Sequence, residues 1–173
     1  MFRVDPTTGA ETVLHAFVGG ADGAFPQGGL TMIGGTLYGT TTAGGVSCGD
    51  AGCGTVFALE PHTGAENVVY AFKGGVVDGV FPLGLMANEN GLLFGVTEFG
   101  GSARGLGTVF SLNPATGAEM ELHAFRGRDD GASPRVGLIY AGDRLYGTTY
   151  LGGSGPCKSS GPRGCGTVFS IRP

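Results

Sequence analysis

Four cysteines, three histidines and a recurring Asp-Gly pair are the residues of this sequence whose types and spacing could do chemistry. Cys48 and Cys53 lie close together in one glycine-rich stretch, and Cys157 and Cys165 lie close together in another that resembles it. Such a set can form disulfides, hold a zinc ion or remain free. Zinc sites favour close Cys-x2-Cys pairs, which are absent, and the two stretches belong to non-adjacent repeats. Four cysteines allow three disulfide connectivities. Cys53 and Cys165 occupy equivalent positions directly before Gly-Thr-Val-Phe, where the intervening copy has Leu106. Local bridges, Cys48 to Cys53 and Cys157 to Cys165, follow from that equivalence and imply an oxidising compartment.

Asp22-Gly23, Asp78-Gly79 and Asp130-Gly131 recur ahead of a proline. A carboxylate repeated in this way could line a calcium site, but no Asp-x-Asp cluster supplies the six to eight oxygens calcium takes. An aspartate capping its own turn is the structural reading. His15 and His123 share a slot with Tyr70, so the position calls for an amphipathic ring with a hydrogen-bonding tip; His62 falls in a turn and has no assigned role. Asp50, Glu98, Arg104 and Lys158 stand singly in variable loops and are candidate binding residues. An enzyme needs a nucleophile with its base, opposed carboxylates or a metal triad that breaks the repeat symmetry, and the sequence offers no such group. The pairs Gly44-Gly45 and Gly100-Gly101 are not phosphate loops, because no helix follows them. No cofactor is expected.

The elements that must position these residues are constrained by composition. Glycine accounts for 37 of 173 residues, and glycine costs roughly 0.5 to 1 kcal/mol inside a helix or strand, so it belongs in turns and element ends. Long helices are disfavoured. With 41% hydrophobic residues, 14% charged residues and a mean hydropathy of +0.17, the chain is too apolar to remain disordered. Glycine has no three-residue period, which excludes a collagen helix. A net charge of -4, with lysine and arginine scattered singly, argues against nucleic acid as a partner. No apolar run reaches the roughly 18 residues of a membrane span. Met1 to Asp5 lack the charged and apolar regions of a signal peptide, so any export signal or anchor is expected outside this stretch.

A repeat accounts for the whole chain. Phe2, Phe57, Phe110 and Phe169 open matching segments at intervals of 55, 53 and 59 residues, the last three as Gly-Thr-Val-Phe. Turn glycines (Gly9, Gly64, Gly117), aromatics (Phe17, Phe72, Phe125) and prolines (Pro26, Pro82, Pro134) stay in step. Length variation is concentrated between Tyr38-Gly39, Phe94-Gly95 or Tyr146-Gly147 and the next phenylalanine. Repeat units of 2–56, 57–109 and 110–168 follow, with 169–173 as the first strand of a further unit. Short β-branched and aromatic runs such as Thr55 to Leu59, ending at Pro-x-Thr-Gly hairpins, read as strands. Four short antiparallel strands per unit are the make-up of a propeller blade, so the expected fold is all-β and propeller-like, with three four-stranded blades.

The run Leu-Tyr-Gly-Thr-Thr, Gly-Gly, Gly-Thr-Val-Phe, Pro-x-Thr-Gly and Leu-His-Ala-Phe resembles the glycine-rich GloVer tandem repeats of exported bacterial proteins. The resemblance implies a secreted or surface protein and is silent on activity. The pattern departs at Phe94-Gly95-Val96-Thr97 in the second unit and at Arg128 and Ser133 in the third.

Phe2-Arg3-Val4 repeats at the other end as Phe169-Ser170-Ile171, so the same strand occurs at both ends. Propellers close with 4 to 8 blades, and three alone leave apolar faces in water. Phe2, Val4, Phe169 and Ile171 are therefore the expected assembly strands of a head-to-tail ring or filament. The expected function is a non-enzymatic extracellular scaffold that associates with itself; the alternative is a module that binds glycans or a surface protein through its variable loops.

Overall fold

The computed structural model describes residues 1–46, 48–155, 157 and 164–173. They form antiparallel sheets joined by short linkers, without an α-helix among the described residues. β1 (Phe2–Val4) and β2 (Glu11–Val13) make an exposed two-stranded hairpin. The first full sheet runs in chain order through β3 (Ala24–Ile33), β4 (Thr36–Ala43), β5 (Thr55–Leu59) and β6 (Glu66–Ala71). The second repeats it with β7 (Gly79–Ala87), β8 (Leu93–Gly100), β9 (Thr108–Asn113) and β10 (Ala118–Ala124). In the third, β11 (Ala132–Pro134) and β12 (Ile139–Ala141) share the position of one first strand, followed by β13 (Arg144–Leu151) and β14 (Thr167–Ile171). The fold is all-β, propeller-like and without a closed barrel.

The sheets are cut from the chain in a different phase from the sequence repeat. The Gly-Thr-Val-Phe segment forms the third strand of each sheet, and a linker carrying Asp-Gly leads from one sheet to the next. Consequently the chain holds the last two strands of one unit, two full sheets, and a third sheet that stops at its third strand position.

The core lies between sheets. Cys53, Val56, Phe72, Leu93, Phe110 and Leu112 fill the space between the first and second, while Leu83, Phe94, Val96, Val109, Phe125, Leu138 and Leu145 fill that between the second and third. Each linker phenylalanine packs on the third-strand phenylalanine of the sheet that follows: Phe17 on Phe57, Phe72 on Phe110 and Phe125 on Phe169, with ring centroids 5.0, 5.1 and 5.1 Å apart. Such pairs contribute about 0.5 to 1.5 kcal/mol beyond the area they bury. The tip of the third-strand ring also lies against a glycine on the second strand: a Cβ on Gly39, Gly95 or Gly147 would sit 2.5, 2.6 or 2.5 Å from the ring's Cζ. This is why the aromatic before each of these positions is always followed by glycine.

At the foot of each loop between second and third strands, the last ladder pair is threonine against threonine, Thr41 with Thr55, Thr97 with Thr108 and Thr149 with Thr167. Their hydroxyls hydrogen-bond at 2.8 Å in all three sheets. Sequence β-propensity favours threonine there, and the hydroxyl pair clasps the loop base.

Candidate functional site

The first of two features bearing on function is a cluster on the linkers. The ring slot and the Asp-Gly aspartate, which the sequence presents as separate features, are partners: His15 Nε2 lies 2.9 Å from Asp22, the Tyr70 hydroxyl donates to Asp78 at 2.9 Å, and His123 Nε2 lies 3.0 Å from Asp130. Each aspartate also accepts a linker amide, from Val18, Lys73 and Arg126 respectively. The carboxylate thus ties the linker to its ring, so the aspartates do more than cap their own turns. Each ring meets the linker phenylalanine edge-on.

A third member joins from the fourth strand. Glu66 on β6 comes within 4.8 Å of both His15 and Asp22, and Glu119 on β10 lies 3.4 Å from the Tyr70 hydroxyl. Burial, and then the Asp22 charge, push the Glu66 carboxyl up to about 7. Burial and the Asp78 charge push Glu119 up to about 7 as well. Asp22 moves the other way: burial opposes its ionisation, but the Val18 amide and the His15 ring outweigh it and hold its carboxyl below the usual range. Glu66 Oε1 is buried without a hydrogen-bond partner, as a carboxyl that keeps its proton would tolerate better than a charged one. His15, Asp22 and Glu66 are also the one group among the described residues with metal-ligating geometry. The sequence signal for the third member was present: Glu11, Glu66 and Glu119 each stand two residues past the turn glycine.

The second feature is a pair of open faces at the two ends. Val56, Val109 and Val168 hold the same repeat position, yet the first two are 0% exposed and Val168 is 79% exposed. The difference is that the following sheet covers β5 and β9, whereas β14 has none over it. Val136, Ile139, Tyr146 and Val168 line a shallow apolar concavity of about 240 Å³ on that face. At the other end Pro26, Gly28, Leu30 and Phe57 line a concavity of about 340 Å³ beside Phe2.

The residues at these ends hold the same repeat positions as those of a contact seen twice inside the chain. Pro82 packs on Gly54 and Pro134 on Gly107, in each case close enough to exclude a Cβ from the glycine. Just before them, Phe81 and Ser133 adopt left-handed backbone, φ 59° and 52°, a conformation that costs a non-glycine residue about 1 to 2 kcal/mol. It turns their amides out of their own sheet to donate to the Cys53 and Leu106 carbonyls of the preceding one, at 3.0 and 2.8 Å. Phe25 has the same conformation, φ 57°, at the open face, followed by an exposed Pro26. On the last sheet the repeat position of Cys53 and Leu106 is held by Cys165, which precedes Gly166.

The remaining candidates are dispersed. Cys48 pairs with Cys53 and Cys157 with Cys165, each with Cα atoms 5.4 Å apart. Asp50 sits exposed in a single 3-10 turn, Gly49–Ala51. Glu98 pairs with Arg135 across two sheets at 2.7 Å, and Arg104 donates to the Arg126 carbonyl at 3.1 Å, so both are engaged within the chain. Lys158 lies outside the described residues. Of the residues expected to form assembly strands, Phe2 and Val4 are exposed, while Phe169 and Ile171 are half-buried against the core of the last two sheets. No helix among the described residues is long and apolar enough to cross a membrane.

No curated protein matches the chain. Residues 46–173 match the family described as the Gloeobacter/Verrucomicrobia repeat, so a repeat signature, a sheet per repeat and a shared contact between sheets lead to one conclusion: this chain belongs to the Gloeobacter/Verrucomicrobia repeat family.

Proposed function

We propose that the protein is a non-enzymatic, extracellular structural module whose copies associate head to tail, the last sheet of one against the first sheet of the next. The observation that carries this reading is the contrast between Val56 and Val109, fully covered, and Val168 at the same repeat position, 79% exposed. Exposed apolar patches on this scale mark interaction surfaces, and both halves of the intersheet contact are present at opposite ends. A head-to-tail contact either closes into a ring or propagates as a filament. The two disulfides fit an oxidising, extracellular setting. Few charges oppose self-association.

The test is the molar mass of non-reduced protein by light scattering after size exclusion, with negative-stain imaging of any excluded material. Multiples of the 17.3 kDa chain, or regular filaments, are the expected result. A well-folded monomer at all concentrations would overturn the reading.

A further inference from the structure

We propose that Glu11 of one copy completes the cluster begun by His123 and Asp130 of the preceding copy, rebuilding across the joint the trio that His15, Asp22 and Glu66 form within the chain. The inference rests on the head-to-tail reading and assigns the joint its polar contact.

Three instances of the cluster can be laid side by side. The first has its ring, aspartate and glutamate in one chain, from His15, Asp22 and Glu66. So does the second, from Tyr70, Asp78 and Glu119. The third has the ring and the aspartate, and its sheet carries no fourth strand among the described residues. The missing strand type does occur in the chain. β2 is a fourth strand by its place after the turn glycine, it pairs with β1 alone, and it begins with Glu11 where β6 begins with Glu66.

The register then fixes where Glu11 would fall. Glu66 stands opposite Leu59 on β5. Ile171 is the counterpart of Leu59 on β14, so a β2 strand laid along β14 in the same register sets Glu11 opposite Ile171 and beside His123 and Asp130. β1 and β14 are the same strand of the repeat, so β2 reaches this place by exchanging β1 for β14, which frees the edge and keeps the register it already uses.

The charges around it can be named. Glu66 faces Asp22 and His15; Glu119 faces Asp78, Tyr70, Glu121 and Lys73. At the joint Glu11 would face Asp130 and His123, with Arg126 in the place of Lys73 and the uncharged Val13 in the place of Glu121. A carboxylate entering beside a second carboxylate is favoured by taking up a proton, so the joint tightens as pH falls. An association driven in this way is strongest in acid and weakens as pH rises.

The experiment is sedimentation velocity on wild type, Glu11→Ala and Glu11→Gln at pH 5.5 and 7.5, in a chelator so that no metal ion contributes. Glu11 is exposed on a terminal hairpin, so both variants keep the fold, checked by circular dichroism. At pH 5.5 the alanine variant is expected to associate about tenfold more weakly than wild type. Wild type should itself weaken about tenfold between pH 5.5 and 7.5. Glu11→Gln, which supplies a hydrogen-bonding group that cannot ionise, should associate at both pH values without that change. Association of the alanine variant equal to wild type, or a glutamine variant as pH-dependent as wild type, overturns the inference and leaves head-to-tail assembly standing. A wild type that is monomeric at both pH values overturns the assembly reading itself.

Discussion

Truncating the same valine in two settings separates folding from assembly. Val109 and Val168 follow the same Gly-Thr in successive repeats, one sealed between sheets and the other open to water. Val109→Ala removes two carbon groups worth about 0.8 kcal/mol each on transfer, and the incompletely relaxed cavity brings the loss to about 2 to 3 kcal/mol. For a chain of this size that corresponds to a fall in melting temperature of about 5 to 10 °C. Val168→Ala, at a concentration where the protein runs as a monomer, should stay within about 0.5 kcal/mol of wild type. Its effect should appear in association instead, where the buried position is recreated, and Val168→Asp should abolish the larger species. Thermal melts followed by circular dichroism, paired with light scattering on the same samples, read both quantities. Equal melting losses at Val109 and Val168 in the monomer would show the last face to be covered, and unchanged association of Val168→Asp would show it to be irrelevant to the joint. Either result would refute the reasoning.

Other outcomes follow from the same geometry. Gly95→Ala would drive a Cβ into the Phe110 ring and to 3.0 Å from the Gly84 carbonyl oxygen, so a loss of about 1 to 3 kcal/mol is expected in denaturant melts. Replacing Cys48 and Cys53 together by serine frees a short loop and should cost about 2 kcal/mol, measurable as a lower urea midpoint under non-reducing conditions. Because the Glu66 carboxyl is raised when folded, its contribution is fully present below its unfolded value and is lost as pH rises through about 7. Glu66→Gln should therefore match wild type near pH 4 and exceed it at pH 8, and an identical pH profile for the two proteins would count against the shift.

Much of this fold is legible in the sequence because glycine, proline and aromatic spacing determine hairpins locally. The Gly-Thr-Val-Phe run and the Pro-x-Thr-Gly turn mark strands and their ends without reference to anything distant. The grouping of strands into sheets is not local. Four consecutive strands could be bracketed at any phase of a repeat, and what decides is the linker between Phe72 and Asp78, whose aspartate accepts from both the Lys73 amide and the Tyr70 hydroxyl. The cluster was half legible for the same reason. Ring and aspartate recur visibly, but Glu66 reaches them from a strand some fifty residues away, and its role emerges only once β6 is seen to stand beside the preceding linker. The shared contact between sheets was hidden altogether, since nothing in Phe81 or Ser133 announces left-handed backbone.

The threonine clasp at the foot of each loop bears on what the family can vary. Between Thr41 and Thr55, Thr97 and Thr108, and Thr149 and Thr167 the chain carries segments of different length, with a disulfide in the first and last and none in the middle one, yet the hydroxyl pair closes at the same distance each time. The residues next to the clasp are not free to vary: Cys53 is packed in the intersheet core, and the Cys53 and Leu106 carbonyls accept amides of the following sheet. The repeat is thereby divided into a frame, which includes the glycine pair after the second strand and the residues just before the third, and a segment between them that changes in length. Foreign peptides grafted into that inner segment would be presented once per sheet, and natural drift there can change the surface of the protein without renegotiating its fold.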